Sequence, residues 1–139
     1  MRDTVQDLNL PSRKLIFIPV NDCSNIDLGG GSHWSLPVYH QADKSFYYYD
    51  SSGSYNLNNA KQLANKLVKH IHSSSTKATV LVRNTPQQSN GYDCGCFVLA
   101  DSHYLAQQGG NDDLLLKNVN SQTARQVRQR LVQILKEHQ

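Results

Sequence analysis

Three short apolar runs stand in the first fifty residues: KLIFIPV at 14–20, HWSLPVY at 33–39 and SFYYYD at 45–50. Each is too brief for an independent helix and rich in aromatic or aliphatic residues. Turn formers follow the first and third runs: Asn21 and Asp22, then Ser51, Ser52 and Gly53. Such runs are strands, and strands need partners and a cover. The cover comes later in the chain. Ala60, Leu63, Leu67 and Ile71 recur at helical spacing, which predicts a helix over 57–72 with one core-facing stripe. Residues 79–82 predict a further strand. Residues 94–107 predict a helix ended by Gly109 and Gly110, with Phe97, Val98, Leu105 and Ala106 on its core side. Residues 121–137 predict a basic amphipathic helix with Val127, Leu131, Ile134 and Leu135 on one face. The order implies an α+β layer structure, a mixed sheet flanked by helices. Pro37 strains that picture. It cannot donate to a ladder, so its nitrogen must face an edge, a bulge or a missing partner.

The whole chain of 139 residues fits one domain, large enough to bury a core without metal or disulfide staples. Its formal charge of +3 is spread out, with no block of like charge. A nucleic-acid partner is therefore not expected, and the basic face of the last helix reads as solvated. No stretch approaches the ~18 apolar residues of a membrane span. The first ten residues lack the apolar centre of a signal peptide. The three cysteines, Cys23, Cys94 and Cys96, form an odd, low count that fits reduced thiols. The expectation is an intracellular chain, cytoplasmic or nuclear, monomeric, with no membrane partner, cofactor or metal. Cys94 and Cys96 make a C-x-C, which lacks the second close pair of a zinc site.

Three local features bear on chemistry. Cys94 follows a polar loop and opens a helix, where unpaired backbone N–H groups and the helix dipole stabilise a thiolate. The plain alternative is a small buried apolar residue, and Cys96 is expected to be one. His33 and Asp50 flank a hairpin whose centre falls near Gln41 and Ala42, so they stand roughly opposite each other at its open end. There a carboxylate can hold the imidazole tautomer. The alternative is a solvated histidine and a turn-capping aspartate. Gln88, six residues before Cys94, can fold back beside the thiol. With the Cys94 backbone N–H it would form an oxyanion hole. The alternative is an ordinary polar turn. The order His, Asp, helix-starting Cys suits a cysteine hydrolase, in which acylation divides amide cleavage into two easier steps.

The segments GGSHWSLPVYHQADKSFYYYDSSG and QQSNGYDCGCFV resemble the sentrin and ubiquitin-like-modifier-specific cysteine proteases, most of all their deneddylase branch. The marks are His33-Trp34, Asp50, Gln88 and Cys94-Gly95. The resemblance implies a papain-like, adenain-like core over 1–139, with an N-terminal helical part of the family domain missing. It implies Cys94 as nucleophile, His33 as base and acid, Asp50 as its orienting carboxylate and Gln88 in the oxyanion hole. Trp34, Asn21 and Asp22 would bind substrate. Trp34 would cover a channel narrow enough to select a Gly-Gly tail, and the loop from Asn21 to Gly31 would be a flap. The activity implied is cleavage after the Gly-Gly of a Nedd-type modifier, by deconjugation or precursor processing, with the modifier and its conjugates (cullin-type substrates among them) as partners. Two other readings stay open: a shortened, inactive chain that only binds a modifier, and a desumoylating protease. The family's second channel tryptophan has no counterpart, since Trp34 is the only Trp.

Overall fold

The computed structural model describes residues 2–23, 31–72 and 77–138. In chain order these form helix α1 (Arg2–Asp7), a 3-10 turn (Leu10–Ser12), and strands β1 (Leu15–Phe17), β2 (Val20–Asn21), β3 (Trp34–His40) and β4 (Ser45–Tyr49). Helix α2 (Leu57–Ile71), strand β5 (Val80–Val82) and helices α3 (Cys94–Gln107), α4 (Leu115–Asn118) and α5 (Ser121–Glu137) follow. The expected α+β mixed sheet flanked by helices is present. β3 runs through its middle, antiparallel to β4 on one side and to β1 and β2 on the other, and β5 pairs parallel to β4.

The proline puzzle resolves inside the sheet. β1 and β2 lie along β3 in one register, Phe17 opposite Val38 and Val20 opposite Ser35. Between them, Ile18 donates its N–H to the Pro37 carbonyl at 3.0 Å. Pro37 has no N–H to return, so the ladder breaks there. The single strand expected over 14–20 is therefore two short pieces, and Asn21 belongs to the second rather than to a turn. The hairpin pairs His40 with Ser45 and Leu36 with Tyr49. Its centre lies one residue later than Gln41-Ala42, which makes His33 and Asp50 diagonal neighbours rather than direct partners.

Alternation along the strands makes two cores. Leu36, Val38 and Tyr49 point to one face, where Phe97, Leu105, Leu115, Val119 and Ala124 close over them. Tyr39 and Phe46 point to the other, against Ala64, Val68 and Ile71 of α2, with Val5 and Leu10 beneath. Burying each large apolar side chain contributes about 1.5–3 kcal/mol. α2 is turned from the expected stripe: Ala60, Ala64, Val68 and Ile71 are its buried positions, while Leu63 and Leu67 are half-buried. Ala106 is exposed, as are Leu131 and Leu135 of α5. Gly110 ends α3 at a φ of 90°. A Cβ there would sit 2.7 Å from His40 Cε1, so both conformation and space require glycine.

Candidate active site

The site gathers at the end of the sheet where β3 starts and β4 stops. His33 immediately precedes β3 and Asp50 immediately follows β4. Both are buried, at 5% and 2% exposed. His33 Nε2 meets Asp50 Oδ1 at 2.5 Å, so the solvated alternative for this pair does not hold. Using Nε2 for the carboxylate leaves Nδ1 as the ring nitrogen for a thiol. Asp50 is itself held on all sides. Oδ1 accepts the Ser52 N–H at 2.8 Å, and Oδ2 accepts the Tyr48 hydroxyl and the Asn56 N–H. Burial, and then the hydrogen bond to Asp50, push the Tyr48 phenol far up, so it stays a donor.

Asn56 is a positioning residue that no sequence signal marked. It is fully buried at the start of α2. Its Nδ2 donates to the carbonyls of His33 at 3.0 Å and Val20 at 3.2 Å. One side chain thus ties both strands to the helix, while its own N–H binds Asp50. Tyr55 covers the imidazole edge-on, with ring centres 5.2 Å apart. A tyrosine following turn residues gave no reason to expect either contact.

Cys94 is the first residue of α3 and is 7% exposed. The start of α3 abuts the start of β3: Trp34 Cδ1 is 4.0 Å from where a Cβ on Gly95 would lie. Among the described residues the thiol makes no hydrogen bond to the imidazole. Cys96 is buried as expected, and burial pushes its thiol up. Trp34 is 42% exposed, so it is a surface aromatic beside the thiol's helix and not a core residue.

The loop before Cys94 is built from side-chain bonds to backbone. Gln88 N–H donates to the Ser51 carbonyl at 2.8 Å. Its Oε1 accepts from Ser51 Oγ and its Nε2 donates to the Asn90 carbonyl, both at 2.6 Å. One of the two amide N–H groups is therefore occupied. Gln87, not singled out in the sequence, joins the Asp50 carbonyl at 2.9 Å.

Asn21 and Asp22, expected to bind substrate, make bonds within the chain. Asn21 Oδ1 accepts the Cys23 N–H at 2.7 Å. Asp22 Oδ1 accepts the N–H groups of Ser32 at 2.6 Å and His33 at 3.0 Å. The Ser32 hydroxyl and these amides hold its carboxyl below the usual range. Asp22 thereby ties Ser32 and His33 to the end of β2, and its Oδ2 also accepts from the Ser32 hydroxyl. Residues 24–30 of the expected flap lie outside the described residues. Among the described residues no helix is long and apolar enough to cross a membrane, and no three His, Cys, Asp or Glu cluster to hold a metal ion.

The arrangement resembles known proteins. The family model for the Ulp1 protease family, C-terminal catalytic domain, matches residues 1–138. Sentrin-specific protease 8 of Rattus norvegicus is 40% identical over 103 residues, which cover 74% of this chain and 47% of that protein. NEDD8-specific protease 1 of Arabidopsis thaliana is 39% identical over 126 residues, 86% of this chain and 55% of that one. The Chaetomium thermophilum Ulp1-like SUMO protease catalytic domain superposes with a TM-score of 0.62 at 25% identity, over 91% of this chain and 48% of that one. The chain spans about half the length of the curated relatives it matches.

Proposed function

From the premise that the chain belongs to the Ulp1 protease family, we propose that it is a thiol peptidase core acting after the terminal Gly-Gly of a Nedd-type modifier. The observation that carries this is the buried His33–Asp50 pair, with Nδ1 left for a thiol, beside the first turn of α3 that begins with Cys94. The names of the NEDD8-specific relatives support the choice of modifier.

In this mechanism His33 Nδ1 takes the Cys94 proton and Asp50 stabilises the resulting imidazolium. The thiolate adds to the glycine carbonyl. The developing oxyanion is met by the Cys94 N–H and the second amide N–H of Gln88. Collapse breaks the C–N bond, and His33 returns the proton to the leaving amine. Water, deprotonated by His33, then hydrolyses the thioester and restores the thiol. Trp34 provides a flat wall over the tail. Asn21 and Asp22 hold the strand end against which the tail would run. The setting is a reducing intracellular one, and conjugates of the modifier, cullin-type ones included, are the substrates.

A Nedd-type modifier bearing a C-terminal thiol-reactive group tests this. Peptide mass mapping should find one adduct, on Cys94, and none in Cys94→Ala. A sumo-type probe that reacts instead would move the assignment to desumoylation. The thiol without a hydrogen bond to His33 favours a second reading, a chain that binds the modifier without cutting it. Binding by folded protein with no adduct would establish that reading.

A further inference from the structure

The carboxylate of Asp93 sits at the residue before Cys94, a poor neighbour for a thiolate. Asp93 is 6% exposed while the side chain of Arg128 is half exposed, so the pair lies at the edge of the core. The structure answers this charge from α5. Arg128 Nε and Nη2 both donate to Asp93 Oδ1, at 2.9 and 2.7 Å. Nη2 also donates to the Tyr92 carbonyl at 2.8 Å, and the guanidinium lies 5.1 Å from the centre of the Tyr92 ring. From the other side, Asn90 Nδ2 donates to Asp93 Oδ2 at 2.8 Å, and Asn90 Oδ1 accepts the Tyr92 and Asp93 N–H groups. The Asp93 carbonyl accepts the Phe97 N–H of α3's first turn. A fork from the last helix therefore grips the two residues that deliver the nucleophile.

We propose that Arg128 is a positioning residue for Cys94: it fixes the entry to α3 and compensates the Asp93 charge, so that the thiolate forms beside a neutral pair. This rests on Cys94 being the reacting thiol. The charged and titratable groups on the elements meeting at this helix start are His33, which precedes β3, its partner Asp50 after β4, Tyr92, Asp93 and Cys96 on the segment of Cys94, and Arg125 and Arg128 from α5. Asp93 and Arg128 are the adjustable pair. Arg128 is half exposed, and removing an ordinary surface ion pair there would change little.

The test measures alkylation of Cys94 by iodoacetamide against pH, with the labelled site assigned by mass mapping, since Cys23 and Cys96 are also thiols. It needs no modifier, so it succeeds or fails separately from the proposed substrate. In Arg128→Gln the naked carboxylate should move the midpoint of the rate curve up by about half a unit or more. The rate at neutral pH should then fall about threefold or more. Asp93→Asn should move the midpoint the other way, and the double variant should return it close to the starting value. Modifier cleavage by Arg128→Gln should lose kcat with KM little changed. The opposite signs keep the matter decidable if one variant does not fold. A midpoint that stays put in whichever single variant folds, or a double variant no better than Arg128→Gln, overturns the proposal.

Discussion

At the scale of the residue, the site is held mostly by groups that never touch substrate. Asp50 accepts from His33, Ser52, Asn56 and Tyr48. An asparagine there keeps the shape but puts an amide where four donors converge. Asp50→Asn should lower kcat on the order of 10³-fold or more with the fold retained, measured by steady-state cleavage and circular dichroism. A loss under tenfold would mean that His33 needs no carboxylate. Tyr48→Phe is the finer probe. It removes one donor to Asp50, while the Asn56 N–H keeps its bond to that carboxylate. The expected cost is about 1 kcal/mol in urea unfolding and roughly a two- to tenfold loss in kcat. Unchanged kinetics would make Tyr48 a purely structural group.

At the scale of the element, what could be read from the chain depended on how local the cause was. The start of α3 at Cys94 and the span of α5 follow from flanking turn residues and helical periodicity, and both stand as expected. The split of the first strand did not follow, because its cause is Pro37 on another strand. Nor did the rotation of α2, where Ala60, Ala64, Val68 and Ile71 are buried and the larger Leu63 and Leu67 only half so. Helix α1 and Asn56 carried no periodic or motif signal at all. In the site, strand-end spacing allowed a His33–Asp50 contact without favouring it over a solvated pair, and it set the hairpin centre one residue early; the family resemblance is what singled the pair out. The bonds of Asp22 were not legible, since they depend on Ser32 and His33 coming close. Gly110 tests such long-range constraint. Gly110→Ala should cost about 2 kcal/mol or more, because φ is positive and His40 and Leu15 leave no room for a methyl. Gly53, also at positive φ but with open space around it, should lose only about 1 kcal/mol as alanine. Equal losses in thermal unfolding would mean that the packing against His40 yields freely.

At the scale of the whole molecule, two sets of carboxyls pull stability in opposite directions along pH. Asp22 is held down by the Ser32 hydroxyl, Asp93 by the Asn90 amide and Arg128, and Asp112 by the Arg83 guanidinium and Tyr49. Each is ionised in the fold at lower pH than in the open chain. Their stabilisation is complete above the unfolded carboxylate value near 4 and is lost as pH falls through the lower folded values. Asp101 does the reverse. It is buried in α3, its Oδ1 has no hydrogen-bond partner, and burial pushes it up to about 8. The fold keeps it protonated while the open chain would ionise it, so stability drains away as pH rises from about 4 to 8. The melting temperature should therefore peak in mild acid, roughly pH 4–6, and fall on both sides. Catalysis should fall in acid for a separate reason, because His33 must be free to accept a proton. Most of the alkaline loss should vanish in Asp101→Asn. That variant should match the parent near pH 4 and exceed it by up to about 4 kcal/mol at pH 7. Calorimetry from pH 3 to 9 on both chains decides it. A parent whose stability still climbs between pH 6 and 8, or an asparagine variant that tracks it throughout, would mean that Asp101 is ionised in the folded chain.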